Sequence, residues 1–124
     1  MLRVLHRAFL PVLLASLTVA SVAWAFHASL VKAAPAIDGT VCAAPTELTL
    51  WFNERPDVVL SNVRLMGPDS TSIPVGAPHA GTDTLALTSP VRGALTAGKY
   101  TVFYRTAGPD GHVMRGKYQF TYQP

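Results

Sequence analysis

The sequence predicts an all-β domain, a single Greek-key, immunoglobulin-like β-sandwich of about seven strands that follows an N-terminal export signal. After residue 26, Pro and Gly recur about every eight to twelve residues, and the stretches between them alternate apolar and polar side chains with period two. No segment there sustains the 3.6-residue apolar period of a helix. Residues 95–100 also have the L-x-x-G-x-Y form of a tyrosine corner, which is typical of such sandwiches.

Residues 1–25 have the three parts of a signal peptide. Arg3 and Arg7 supply a positive start, and Leu10–Ala20 is almost entirely apolar. Ala23-Trp24-Ala25 has the small-x-small form that signal peptidase recognises. We therefore expect cleavage after residue 25.

Cleavage at that point predicts one domain, residues 26–124, with Phe26 as its first residue. The alternative is an uncleaved membrane anchor, because residues 8–26 carry no charge and are about long enough to span a bilayer. Two of the ten basic residues lie in the signal, which leaves eight against seven acidic residues. This near-neutral balance, with no run of Lys or Arg along the chain, argues against nucleic acid as a partner.

The chain has one cysteine, Cys42, so the domain has no internal disulfide and depends on its core. Its neighbours are Val41 and Ala43, which predicts a buried small hydrophobic residue. The alternative for Cys42 is a thiolate metal ligand.

Five segments carry the strand pattern. The clearest is Thr46–Phe52, where Leu48, Leu50 and Phe52 alternate with Glu47, Thr49 and Trp51. The others contain Val63 and Leu65, Leu85 and Leu87, Lys99–Thr106, and Gly116–Tyr122. In the tyrosine corner, the Tyr100 hydroxyl is expected to bond to backbone near Leu95.

The tripeptide Asp110-Gly111-His112 lies between the last two predicted strands. In an extended segment, side chains two residues apart point the same way, so this carboxylate and imidazole could reach one metal ion. Pro109 precedes them, and Pro-Asp-Gly is also a strong turn signal, which is compatible with ligation by Asp110. His27, beside the predicted cleavage site, is a third candidate; its alternative is a solvated terminus.

These segments together resemble the CopC family of periplasmic copper-binding proteins over nearly the whole mature chain. The pieces that carry the resemblance are His27-Ala28-Ser29-Leu30-Val31, Ala34-Pro35-Ala36, Asp38-Gly39, Ala44-Pro45, Leu48-Thr49-Leu50-Trp51-Phe52-Asn53-Glu54, Leu95-Thr96-Ala97-Gly98-Lys99-Tyr100-Thr101-Val102, Pro109-Asp110-Gly111-His112 and Gly116-Lys117-Tyr118-Gln119-Phe120.

The resemblance implies a monomeric periplasmic protein that holds one Cu(II) per chain at a sheet end, through His27, Asp110 and His112. It implies Glu54 and the mature N-terminal amine as further candidate ligands. Its expected role is copper sequestration, resistance, or delivery to a copper enzyme or to an inner-membrane transporter of the CopD type. Independently of the family, nitrogen ligands with a carboxylate suit tetragonal Cu(II), and zinc is the next-best occupant.

The chain departs from the family pattern at two points. Cleavage after residue 25 makes Phe26, and not His27, the first residue, so the amine and imidazole of one histidine cannot clamp the metal together. Met66 and Met114 are the only methionines after the signal, and both are expected to pack, so we expect no separate Cu(I) site.

For two other residues the sequence favours a structural role. Glu54 reads as a strand-end residue that pairs with Arg55 or water. His79, in a Pro-His-Ala-Gly loop, is expected to be exposed and not to bind metal.

No catalytic motif is recognisable in the sequence, which predicts a binding protein and no enzyme. Two alternatives remain from other classes. A copper oxidase or monooxygenase with a histidine brace requires histidine as the first mature residue and a broad substrate face. A metal-free adhesion or interaction module predicts no copper binding.

Overall fold

The computed structural model describes residues 28–124, so the predicted signal peptide and His27 lie outside the described part of the chain. The described residues form nine strands and no helix. In chain order the strands are β1 (Leu30–Ala34), β2 (Thr40–Val41), β3 (Glu47–Phe52), β4 (Asn62–Met66), β5 (Ser72–Ile73), β6 (His79–Ala80), β7 (Ala86–Pro90), β8 (Gly98–Ala107) and β9 (Val113–Tyr122).

The strands make two sheets, with orders β1-β3-β7-β6 and β2-β9-β8-β4-β5. The chain passes from one sheet to the other at five connections: β1–β2, β2–β3, β3–β4, β5–β6 and β7–β8. Most neighbours are antiparallel, whereas β2 joins β9 in parallel. The sequence-based prediction of an all-β sandwich is therefore confirmed.

The core lies between the sheets and is built from alternate residues of the long strands. Its buried members are Leu48, Leu50, Phe52, Val63, Leu65, Leu87, Tyr100, Val102, Tyr118 and Phe120. Tyr100 and Phe120 face each other across β8 and β9 and stack with ring centroids 5.4 Å apart. Burial of each large apolar side chain contributes about 1.5–3 kcal/mol, so this layer stabilises the domain without a disulfide.

The predicted strands match the longer observed ones to within a few residues at each end. In β3 the alternation of buried Leu48, Leu50 and Phe52 with more exposed neighbours is as predicted. In β7 the pattern differs, because Leu85 precedes the strand and is 37% exposed, while four consecutive residues from Ala86 are buried. Strand β1 and the two-residue strands β2, β5 and β6 gave no periodic signal in the sequence.

The tyrosine corner forms at the start of β8. The Tyr100 hydroxyl donates to the Thr96 carbonyl at 2.7 Å and accepts from the Thr96 N–H at 2.9 Å. Gly98, between them, has φ 145°, and a Cβ there would overlap the Pro68 ring. Glycine is therefore required at this position both by backbone conformation and by the close approach of the β4–β5 turn.

The prediction that Cys42 is buried is wrong, since its side chain is exposed. The reason is that β2 ends one residue earlier, at Val41, and the chain then bends away from the sheet. A two-residue strand next to an Ala-Ala-Pro segment leaves the cysteine outside the core.

Within residues 28–124 there is no helix with the length and apolar character needed to cross a membrane.

Tyr100→Phe should destabilise the domain by about 1–3 kcal/mol, because it leaves the Thr96 N–H and C=O without their partner. Tyr118→Phe is the matched control, since its buried hydroxyl has no hydrogen-bond partner among the described residues. That burial raises the pKa of Tyr118, and removing a buried unpaired hydroxyl should leave stability unchanged or increase it. Urea unfolding midpoints of the two variants give the comparison, and equal midpoints would show that the corner contributes nothing.

Candidate metal centre

One end of the sandwich carries a cleft of about 480 Å³ beside the Asp110-Gly111-His112 segment. Three loops meet there: the one after β3, the one between β6 and β7, and the one between β8 and β9. The lining residues are Arg55, Pro56, Asp57, Val58, Ala80, Gly81, Thr84, Ala86, Gly108, Pro109 and Gly111.

The β8–β9 connection is a tight turn. The Gly111 N–H donates to the Gly108 carbonyl at 2.9 Å, and Gly111 has φ 78°, a conformation that favours glycine. The expectation that Asp110 and His112 lie in an extended segment is therefore wrong, because Pro109 and Asp110 occupy the turn. The alternative interpretation of Pro-Asp-Gly as a turn is confirmed.

The turn nevertheless brings the Asp110 and His112 side chains together. The Asp110 Oδ1 accepts from the His112 N–H at 3.1 Å, and Oδ2 is 2.9 Å from His112 Nδ1. Because an ionised carboxylate only accepts, this contact assigns the Nδ1 proton and places the lone pair of a neutral ring at Nε2. The same arrangement orients histidine ligands in metal sites.

The pair is open to solvent, with 69% of the His112 side chain and 35% of the Asp110 side chain exposed. An ion can therefore reach both groups without any movement of the core. At this exposure the contact between them adds little to folding stability.

The first described residues are fixed against the same end of the sandwich. Ala28 is 1% exposed. The Asn53 side-chain oxygen accepts from the Ser29 N–H at 2.6 Å, and the Asn53 N–H donates to the Ser29 carbonyl at 3.0 Å. These bonds tie the start of β1 to the loop that follows β3.

Gly108 is the point where the start of the described chain, the loop after β3 and the β8–β9 turn come together. A Cβ on Gly108 would lie 3.0 Å from Glu54 Oε2, 3.4 Å from the Ala28 Cβ and 3.5 Å from Asp110 Oδ1. Glu54 Oε2 and Asp110 Oδ1 therefore lie near the same point beside Gly108. The absence of a side chain at this position leaves room for both carboxylates at the mouth of the site.

The geometry changes the interpretation of Glu54. No ion pair joins Glu54 to Arg55 within residues 28–124, so the predicted pairing with Arg55 is not found. The Glu54 carboxylate instead lies on the Gly108 side, toward Asp110. The structure thus brings Asp110, His112 and Glu54 to one end, and His27 lies outside the described residues.

Among residues 28–124, no three His, Cys, Asp or Glu side chains are close enough together to hold a metal ion. His79 is exposed on the edge strand β6, as expected, and Met66 and Met114 are half-buried. Sequence reasoning missed Asn53 and Gly108, whose roles depend on contacts across the fold. In the sequence, the only indication of a role for Gly108 was its position as the glycine that ends a long strand pattern.

Comparisons with known proteins identify the family. The model of the CopC domain family matches residues 30–123. Copper resistance protein C of Escherichia coli is 35% identical over 102 residues, which cover 77% of this chain and 80% of that protein.

Two solved structures are similar over most of their length. CopC from Methylosinus trichosporium OB3b superposes with a TM-score of 0.72 at 30% identity, covering 79% of this chain and 95% of that one. PcoC, a methionine-rich copper resistance protein from Escherichia coli, superposes with a TM-score of 0.70 at 30% identity, covering 78% and 99%. With a family model that spans most of the sequence and a shared sandwich at these identities, the chain belongs to the CopC domain family.

Proposed function

We propose that this protein binds Cu(II) as a cargo ion in the periplasm, to sequester it or to deliver it to a membrane transporter or a copper enzyme. The observation that carries the proposal is the Asp110–His112 pair at the turn, where a carboxylate lies 2.9 Å from an imidazole that is 69% exposed. Support also comes from the relatives, which are named as copper resistance proteins. Residues 1–25 serve as the export signal in this proposal.

The proposed ligands are His27, Asp110 and His112. An ion at Nε2 would lie on the far side of the His112 ring from Asp110, so we propose that copper binding replaces the Nδ1 contact and lets both side chains reach the ion. Ala28, the residue that follows His27 in the sequence, is buried at this end of the sandwich. Imidazole nitrogens with a carboxylate favour Cu(II) above the other divalent ions of the first transition row.

Glu54 and the mature N-terminal amine are the proposed supplementary ligands. Glu54 Oε2 lies on the same side of Gly108 as Asp110 Oδ1 and can approach an ion held there. With Phe26 as the first residue, its amine and the His27 imidazole can chelate one ion from adjacent residues.

Binding, and not catalysis, is the role that the comparisons favour. The matching proteins are copper resistance proteins, and nothing in the comparisons supports an oxidase or an adhesion module. We propose that the cleft beside the site, about 480 Å³ in volume, gives the ion access and lets an acceptor approach.

The mature domain should bind one Cu(II) per chain and prefer it to Zn(II), because nitrogen-containing sites follow the Irving–Williams order. Titration monitored by electron paramagnetic resonance should give an axial signal with nitrogen coupling. Zn(II) competition is the control for selectivity. A stoichiometry near zero in protein with its native N-terminus would remove the basis of the proposal.

His112→Ala should weaken Cu(II) binding much more than His79→Ala, since only His112 is hydrogen-bonded to Asp110. Both histidines are exposed, so each substitution should change stability by no more than about 0.5 kcal/mol. Copper titrations and unfolding midpoints of the two variants test this directly. Equal losses of affinity would place the site elsewhere.

Copper should raise the melting temperature, and the N-terminus should control the size of that rise. At free copper about a hundredfold above the dissociation constant, the gain is roughly 2.7 kcal/mol, or about 10–20 °C for a domain of this size. An extra residue before Phe26 moves the amine away from His27 and should shrink the shift. Identical shifts in extended and native forms, measured by differential scanning calorimetry, would show that the amine is not a ligand.

A further inference from the structure

The outer face of the five-stranded sheet is strongly basic. Five of the eight Lys and Arg residues in residues 28–124 lie on its strands, namely Arg64, Lys99, Arg105, Arg115 and Lys117. None of the seven acidic residues lies on β2, β4, β5, β8 or β9. We call these five residues the basic face.

All five side chains point away from the core. The inward positions of β4, β8 and β9 are taken by the residues next to them, such as Val63, Val102 and Tyr118. Because successive strand residues alternate between faces, the basic residues share the opposite side. None of them forms an ion pair with an acidic side chain in the described part of the chain.

The register places these charges next to one another. Arg105 is directly opposite Arg115, and Phe103 is opposite both Arg64 and Lys117. Like charges directly opposite on neighbouring strands destabilise a sheet. The pairing of Arg105 with Arg115 therefore does not help the fold, which is consistent with a role in binding.

Three of the arginines surround a shallow cleft of about 290 Å³. Arg64, Arg105 and Arg115 line it together with Asn62, Phe103, Tyr104 and Gly116. The Arg64 guanidinium lies 5.1 Å from the centre of the Phe103 ring, which restricts its orientation. A planar guanidinium held in this way can bind a carboxylate through two parallel hydrogen bonds.

We propose that the basic face is a docking surface for an acidic segment of a partner protein. Its concave cleft suits discrete carboxylate side chains, one to each guanidinium. A membrane is the poorer fit, because a lipid surface would attract this face through charge alone, without the inserted apolar side chains that strengthen membrane binding. Here Phe103 is half-buried beneath Arg64, and Val113, at the turn, is the exposed large apolar residue of these three strands.

The surface adjoins the proposed copper site. Arg105 and Arg115 lie two positions along their strands from Ala107 and Val113, which form the last opposed pair before the turn. The two pairs are roughly 7 Å apart along the strands. A segment docked on the arginines would therefore bring its protein beside Asp110 and His112. The idea that this partner donates or accepts copper rests on the proposed function. The docking surface itself does not.

Binding of a fluorescent decaglutamate peptide to the mature domain tests the surface. The double variant Arg105→Ser/Arg115→Ser should lose about three- to tenfold in affinity, because it removes two exposed charge pairs that each contribute modestly. Lys32→Ser/Arg92→Ser removes the same charge outside the basic face and should change affinity little. Binding of the unaltered domain should weaken as salt rises.

Equal losses in the two double variants would overturn the proposal, because net charge alone would then explain binding. Binding to vesicles of phosphatidylglycerol and phosphatidylethanolamine that depends on Arg105 and Arg115, with no peptide binding, would replace it with a membrane surface. Titration of the same protein with Cu(II) separates the two proposals. Arginine-dependent peptide binding by a domain that takes up no copper would support docking and overturn the copper function alone.

Discussion

The pairing of β8 with β9 is the constraint on which the rest of the structure depends. Ten residue pairs join Gly98–Ala107 to Val113–Tyr122. This is the longest pairing in the described part of the chain, and β9 and β8 also provide the edges on which β2 and β4 build. The five residues that join the two strands contain both Asp110 and His112, so the candidate site sits on the most extensively hydrogen-bonded element.

The register of the β8–β9 pairing sets three separate features of the hairpin that these two strands form. A shift of a single residue would exchange the two faces of a strand. In the observed register Tyr100 stacks on Phe120 in the core, while Arg105 and Arg115 meet on the outside. The tyrosine corner at Thr96 fixes the start of β8, and the turn at Gly108 fixes its end. Core packing, the basic face and the metal end are therefore positioned together and not independently.

The sequence predicted those parts of the fold that depend on local pattern. Alternation identified β3, β8 and β9, and the spacing of Leu95, Gly98 and Tyr100 identified the corner. Short strands could not be predicted, because two residues carry no period and β2 exists only by pairing with β9. The same limit explains the error at Cys42, where the neighbours Val41 and Ala43 suggested a strand that in fact ends at Val41.

The candidate site was predictable in part for the same reason. Asp110 and His112 are neighbours in sequence, so their association needed only a turn, although its geometry was not the extended one expected. Gly108 and Glu54 are far apart in sequence and meet only in the fold. The basic face was missed altogether, because Arg64, Arg105 and Arg115 form no run along the chain. Composition indicated a near-neutral domain, and only strand pairing reveals that its charges are segregated.

That segregation bears on how copper and a partner can share one small domain. Four of the seven acidic residues belong to the loops at the metal end: Glu54, Asp57, Asp83 and Asp110. Asp57 and Asp83 accept hydrogen bonds from the backbone N–H groups of the residues that follow them, which shapes these loops and keeps the carboxylates there. A cation is therefore favoured at the loops and disfavoured over the sheet, and an acidic segment experiences the opposite field. Because the two surfaces attract ligands of opposite charge, a docked acidic partner need not compete with copper for the same residues, yet the hairpin holds both within reach of each other.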